Sequence, residues 1–369
     1  MHTNRLYFID AVRAFAILMM LQGHFIDTLL GVEFRDSNNF IYNTWLYFRG
    51  ITAPVFFSIS GLIFTYLLLK AKEKGTLKYR MRKGIIRGLM LVGIGYALRV
   101  PIFRWLTGSF GTYFLVIDVL QCIGLSLIMI VFIYALTQKK TFIFSIVMLC
   151  LGTVVFLNEP LYRTYAADGI PLIFANYLTK ANGSVFTIVP WFGYMAYGAF
   201  IATLFYGYLV RPKFKTAIVS GFFGVGFGLI YGSTPLIHWL AVNTDFTLFS
   251  EVANYNYLFI RLGNVLVLFG LFYALESYLK HSAILKIGQK TLSIYVIHFI
   301  LLYGSFTGWG LNRIFEKNLT PQEAIFGAFC FLVTVSLISI YSVKANTQVY
   351  GFFRQKAYKL KTFIKTLNK

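Results

Sequence analysis

The chain has little acid and little charge of any kind. Only 13 of its 369 residues are Asp or Glu against 34 Lys and Arg; charged residues make up 13% of it and hydrophobic ones 58%. Soluble domains average about 25% charged and about 45–50% apolar residues, so a soluble fold is excluded. Cysteine is scarce as well. Cys122, Cys150 and Cys330 all stand in apolar stretches, which excludes a disulfide framework and a thiolate metal cluster. Neither H-E-x-x-H, Walker nor G-x-S-x-G motifs occur, and His2, His24, His238, His281 and His298 are too scattered for a metal site. No metal is expected. A formal charge of +21 would suggest nucleic acid in a soluble protein. Here the basic residues lie between runs long enough to cross a bilayer, and nucleic acid is not an expected partner.

What the chain does have is apolar runs. A helix crossing a bilayer needs about 20 mainly apolar residues at ~1.5 Å rise each. Ten candidate runs approach or exceed that size: 7-31, 48-69, 85-106, 113-136, 142-157, 185-208, 216-241, 257-279, 288-306 and 323-343. The first differs from a secretory signal in its length, in carrying Asp10 and Arg13, and in lacking a small-residue cleavage site, so it is expected to be retained. Basic residues gather in cytoplasmic loops. The N-terminal segment through Arg13, the 70-87 loop, 138-141, 209-215, 280-290 and the residues from 344 on hold 25 of the 34 basic residues, and that side has only Asp10, Glu73 and, just before 280, Glu276 as acids. An odd number of spans scrambles this pattern. The expected fold is therefore all-α, a polytopic integral membrane protein of about ten transmembrane helices with both termini cytoplasmic. Residues 1-343 form the membrane domain and 344-369 a basic cytoplasmic tail.

An ionisable group at the centre of a membrane helix costs at least ~2.5–3.5 kcal/mol, so each one needs a partner or a function. In the first run Arg13 and His24 are eleven positions apart. At about 100° per residue that leaves about 20° of rotation, so the two share one stripe, with Asp10 beside them and ~16 Å along the axis between them. That distance excludes an ion pair and suits the two ends of something elongated. The plainer alternatives are an Asp10–Arg13 ion pair at i, i+3 and a His24 that is an ordinary core imidazole. Asp118 opens the fourth run with Gln121 one turn on, and Arg49, Arg99, Arg104 and Arg261 are its candidate partners. His298 is the second membrane-embedded imidazole, whereas His2 and His281 fall in cytoplasmic segments and His238 near an interface. The glycines of Gly93-Ile-Gly95 and GFFGVGFG suit close helix packing.

RLYFIDAVRAFAILMMLQGH resembles the opening helix of the transmembrane acyltransferases, in which an Arg or Lys and a His are separated by ten residues; here these are Arg13 and His24. FRGITAPVFFSISGLIF, DVLQCIGLSL and VPWFGYMAYGAF resemble the branch containing heparan-alpha-glucosaminide N-acetyltransferase, and GQKTLSIYVIH the late helix of the wider acyltransferase-3 group. The segments run in family order from residue 5 to about 298. Two positions depart from the pattern. The heparan branch often has Asn where His24 stands, and some O-acyltransferases have two Arg three apart where KYRMRKGIIR has Arg80 and Lys83.

The resemblance implies a membrane enzyme, expected in a bacterial inner membrane, that moves an acyl group, usually acetyl, from cytoplasmic acyl-CoA to a sugar amine or hydroxyl. His24 is then the expected general base or acyl acceptor, with Asp118 or His298 orienting it. Arg13, Arg49, Arg80, Arg82, Lys83 and Arg87 are the expected holders of acetyl-CoA, since Arg offers forked charge-assisted bonds to phosphate and Lys a point charge. Gln121, Asn176, Trp191, Arg261 and Asn264 are the expected acceptor contacts. Membrane lipids, acyl-CoA and a glycan acceptor are the expected partners, and a homodimer is compatible with the sequence. Buried charges in many spans also describe a secondary transporter or flippase, which is the alternative reading.

Overall fold

The computed structural model describes residues 6–208 and 211–341, and the described residues are helices and connections, with one isolated parallel bridge between Leu30 and Leu319. His2, Arg5 and the 344-369 tail lie outside the described residues. Twelve principal helices carry the argument: α1 (Tyr7–Leu29), α2 (Phe40–Arg49), α3 (Thr52–Glu73), α4 (Leu77–Arg99), α5 (Val119–Leu136), α6 (Thr141–Leu157), α7 (Ile188–Phe205), α8 (Lys215–Phe227), α9 (Ser233–Thr244), α10 (Tyr257–Ala274), α11 (Ser282–Gln289) and α12 (Thr291–Tyr303). The last described helix is α13 (Pro321–Tyr341).

Among the described residues, seven helical stretches are long and apolar enough to cross a membrane: Tyr7–Leu29, Phe40–Glu73, Val119–Leu136, Ile188–Phe205, Pro212–Thr244, Tyr257–Ala274 and Pro321–Tyr341. The pair α11 and α12, bent by 69°, makes an eighth if it is one broken span. Two of the ten expected runs fall short for identifiable reasons. Helix α6 has only 17 residues. Helix α4 begins at Leu77, so Lys78, Arg80, Arg82, Lys83 and Arg87 stand in its first half. The expected 70-87 loop is therefore mostly helix, broken only by a turn around Gly75, whose φ of +70° suits glycine. Helix α4 ends at Arg99 because the residue before a proline is held extended, as Val100 is before Pro101. That break puts Arg104 in the short helix Ile102–Leu106 rather than in the span.

Three helix pairs are drawn together by missing side chains. Gly61 of α3 lies against the Met195 backbone and Gly198 of α7 against the Ser58 carbonyl; Gly88 of α4 and Gly124 of α5 face each other's carbonyls; Gly226 of α8 and Gly263 of α10 do the same. Small residues let membrane helices approach closely, which yields dispersion contacts where water supplies no driving force. Of the glycines singled out in the sequence, Gly95 packs on Gln121 and Gly226 on α10, while Gly93, Gly221, Gly224 and Gly228 have open space where a Cβ would stand. Helix α1 is central. It packs against α3, α10, α11, α12 and α13, and its first turn is tied down by the Phe8 N–H donating to Glu276 at 3.1 Å.

Gly198→Ala forces a methyl into the Ser58 carbonyl, and overpacking of this kind costs about 1–3 kcal/mol. Thermal unfolding in detergent should show a clearly lower midpoint for Gly198→Ala and no resolvable change for Gly221→Ala.

Candidate active-site cavity

Helix α1 turns one polar stripe inward, and a cavity of about 470 Å³ lies along it. Arg13 and His24 both line this cavity, joined by Arg49, Arg87, Asp118, Trp191 and Arg261. Its remaining walls are largely apolar, among them Ile17, Met20, Phe56, Ile59, Leu91, Ile123 and Phe186. The shared stripe expected from the 100° periodicity is thus realised.

Helix α12 runs parallel to α1 and answers it residue by residue. At one end Arg13 donates from Nη2 to the Thr291 hydroxyl at 2.6 Å. At the other end His24 Nδ1 and the Tyr303 hydroxyl are 3.0 Å apart, and the Thr28 hydroxyl donates to the same Tyr303 oxygen at 3.3 Å. His298 is fully buried behind His24, the two rings meeting edge to face with centroids 5.2 Å apart. The bonded nitrogen of His24 therefore meets a phenol rather than Asp118 or His298.

Asp118 is committed elsewhere. Its Oδ2 accepts from Arg99 Nη2 at 2.8 Å, its Oδ1 accepts the Val119 N–H at 2.8 Å, and Gln121 Oε1 accepts the Asp118 N–H at 3.2 Å, which makes a reciprocal cap at the start of α5. Of the four arginines weighed as its partner, the structure selects Arg99. Gln121 is fully buried in that cap and does not line the cavity.

At the basic end, a smaller cavity of about 90 Å³ shares Arg13, Ser60, Arg87, Leu91 and Ile123 with the large one and adds Arg80. Arg80 and Arg87 are seven residues apart, two turns of α4, and so project on one side. The Arg80 Nε is buried without a hydrogen-bond partner, and its guanidinium lies 5.7 Å from the Phe64 ring. Arg82 and Lys83 are exposed and line neither cavity. Arg49 belongs to the opposite end: its Nη2 pairs with Asp27 Oδ2 at 2.7 Å, three residues beyond His24.

The expected acceptor contacts divide. Trp191 lines the cavity, packed at a tilt against the rings of Phe57, Phe186 and Tyr194, with its indole N–H on the Val185 carbonyl at 3.2 Å. Arg261 also lines it, donating to the Tyr47 carbonyl at 2.7 Å and lying 4.4 Å from the Tyr47 ring. Asn264 accepts from the Tyr47 hydroxyl at 3.0 Å and stands outside the cavity wall. Asn176 donates to the Leu115 carbonyl at 2.9 Å and lines a separate cleft with Asn182.

Sequence reasoning missed Asp27, Thr291, Tyr295 and Tyr303. Asp27 was detectable, being an acid inside the first run. Thr291, Tyr295 and His298 stand at i, i+4 and i+7, one helical face, but only the α1 contact gives them meaning. Helix α2 was missed as an element: it is a short cap at the His24 end, held by Arg49 on Asp27, by Trp45 donating to Gln22 Oε1 at 2.8 Å, and by Tyr47. No group of His, Cys, Asp and Glu among the described residues could hold a metal.

A helical bundle with several membrane-crossing stretches, enclosing a cavity with Arg13 and Arg87 toward one end and His24 with Arg49 toward the other, defines a multi-pass membrane protein built around an internal site. The family of the heparan-alpha-glucosaminide N-acetyltransferase catalytic domain matches residues 5–243, and the chain belongs to that family of membrane acetyltransferases. No curated protein and no solved structure matches it. The match supplies Arg13, His24, Arg49, Arg87, Asp118 and Trp191, whereas Arg261, Thr291, Tyr295, His298 and Tyr303 lie beyond its end.

Asp118→Ala removes a helix cap, about 0.5–2 kcal/mol, and strands the largely buried Arg99, about 3–5 kcal/mol. Asp118→Asn keeps the cap and loses only the charge. Melting curves in detergent should therefore order wild type above Asp118→Asn above Asp118→Ala.

Proposed function

We propose that the protein transfers an acetyl group from acetyl-CoA, entering from the cytoplasm, to an amine or hydroxyl of a sugar or glycan at the outer end of the cavity. The observation that carries this reading is the placement of Arg13 and His24 on one cavity about three helical turns apart. Arg80, Arg87 and Arg13 line the smaller cavity together, and Arg87 and Arg13 also line the large one that His24 lines. The unpartnered Arg80 Nε beside these two further cations fits a polyanionic ligand at that end. The basic balance of alternate connections supports ten spans with both termini cytoplasmic, α4, α6 and the bent α11–α12 pair completing the seven long stretches.

Acetyl-CoA supplies the thioester. The acceptor nitrogen or oxygen attacks the thioester carbonyl carbon; a C–N or C–O bond forms, the C–S bond breaks, and CoA leaves as the thiolate. His24 takes the acceptor's proton and passes it to the leaving sulfur, so that the imidazole is neutral before and after. Trp191 and its aromatic neighbours offer a flat apolar face to a sugar ring, and Arg261 and Arg49 frame the outer end. Membrane lipids surround the bundle.

Purified protein incubated with radiolabelled acetyl-CoA and a panel of amino sugars should transfer label, and His24→Ala should lose about 10²–10⁴-fold in rate while remaining folded. Transfer at near-normal rate by His24→Ala contradicts the role given to that residue. Stabilisation of the protein by CoA in a thermal-shift titration should weaken for Arg13→Ala. A protein stabilised by a sugar or an ion but not by CoA would instead be a carrier.

A further inference from the structure

The His24 ring is held by a phenol, and both nearby carboxylates are engaged elsewhere: Asp118 with Arg99 at 2.8 Å and Asp27 with Arg49 at 2.7 Å. An imidazole has two nitrogens, and the bond made by one decides which of them carries the proton. We infer that Tyr303 is the positioning residue for His24: its hydroxyl oxygen accepts the Nδ1–H, which leaves the lone pair on Nε2, the nitrogen left to serve the cavity that His24 lines. A hydroxyl oxygen has two acceptor sites, enough for the His24 Nδ1–H at 3.0 Å and the Thr28 hydroxyl at 3.3 Å. Packing fixes the same orientation. His298 closes on His24 at 5.2 Å, Tyr303 packs on Phe299 at 4.9 Å, and the chain turns immediately after Tyr303 at Gly304, whose φ of +68° ends α12.

The catalytic consequence rests on the acetyl-transfer reading; the tautomer does not. Tyr303 lies sixty residues past the end of the family match at 243, so the segment bearing His24 acquires its orienting partner from a helix outside that match. A hydrogen-bond partner behind a working imidazole is worth about 10–100-fold where it has been removed from comparable metal-bound histidines.

The test is nitrogen NMR on protein labelled with 15N-histidine, the His24 signals assigned by their loss in His24→Gln, together with steady-state kinetics. Wild type should show His24 as the Nδ1–H tautomer. Tyr303→Phe keeps the ring and removes only the hydroxyl; it should give a mixed tautomer, lower kcat about 10–100-fold and leave the KM for acetyl-CoA unchanged. Thr28→Val should keep the Nδ1–H tautomer. An Nε2–H tautomer in wild type, or Tyr303→Phe with unaltered tautomer and kcat, overturns the inference. If Tyr303→Phe fails to fold, the wild-type tautomer alone decides. A tautomer that shifts as stated in a protein that transfers no acetyl group would sink the acetyl-transfer reading and leave the positioning role standing.

Discussion

The parallel contact between α1 and α12 is the constraint on which the rest of the molecule depends. Helix α1 carries Asp10, Arg13, His24 and Asp27 through an otherwise apolar run, a burden that hydrocarbon would penalise by several kcal/mol if those groups met lipid. Facing α12 removes the penalty at both ends, with Thr291 on Arg13 and Tyr303 on His24. The bend between α11 and α12 lets the same segment satisfy α1 twice: Gly288 of α11 lies against the Asp10 backbone, where any side chain would collide with its carbonyl.

Pairing of this kind recurs at the His24 end, and it explains why the cavity stays open rather than collapsing. Arg99 is drawn to Asp118, Arg49 to Asp27 and Arg261 to the Tyr47 carbonyl, so each cation has an oxygen at the wall and none needs to reach across the space between. The glycine seams between α3 and α7, α4 and α5, and α8 and α10 make the surrounding bundle tight where it is not hollow. Because the family match stops at 243, the helices that finish the site, α10 and α12, are the part of the chain its membership describes least.

Much of this was legible in the sequence, for physical reasons. Composition alone gave membrane helices, and the periodicity of α1 gave the shared stripe, since both depend on local spacing. The pairing of Asp118 with an arginine was legible, but the capping roles of Asp118 and Gln121 and the partner of Arg49 were not. A residue at the start of a run reads as inside the helix until the cap is seen, and Asp118 and Gln121 turned out to be that cap. Arg49 stands at the start of a run in sequence but closes on Asp27 because α2 folds back over the His24 end. The basic 70-87 segment read as a loop because its charges mask a helix whose other face is glycine and aliphatic packing, with Gly84 and Gly88 buried. Tyr303 could not be found from sequence, since a tyrosine near a helix end carries no pattern until its partner is placed beside it.

The central claim is that a thioester donor enters from the basic end and brings its reactive carbon to the imidazole at position 24. Bromoacetyl-CoA tests this directly, because its CH2Br carbon sits where the acetyl methyl would and alkylates whichever nucleophile it reaches, bromide leaving. Peptide mass spectrometry should find the CoA-thioester adduct on the His24 peptide, or the carboxymethyl group left after its hydrolysis, with excess CoA preventing it. Modification confined to exposed residues, indifferent to CoA, would contradict the account.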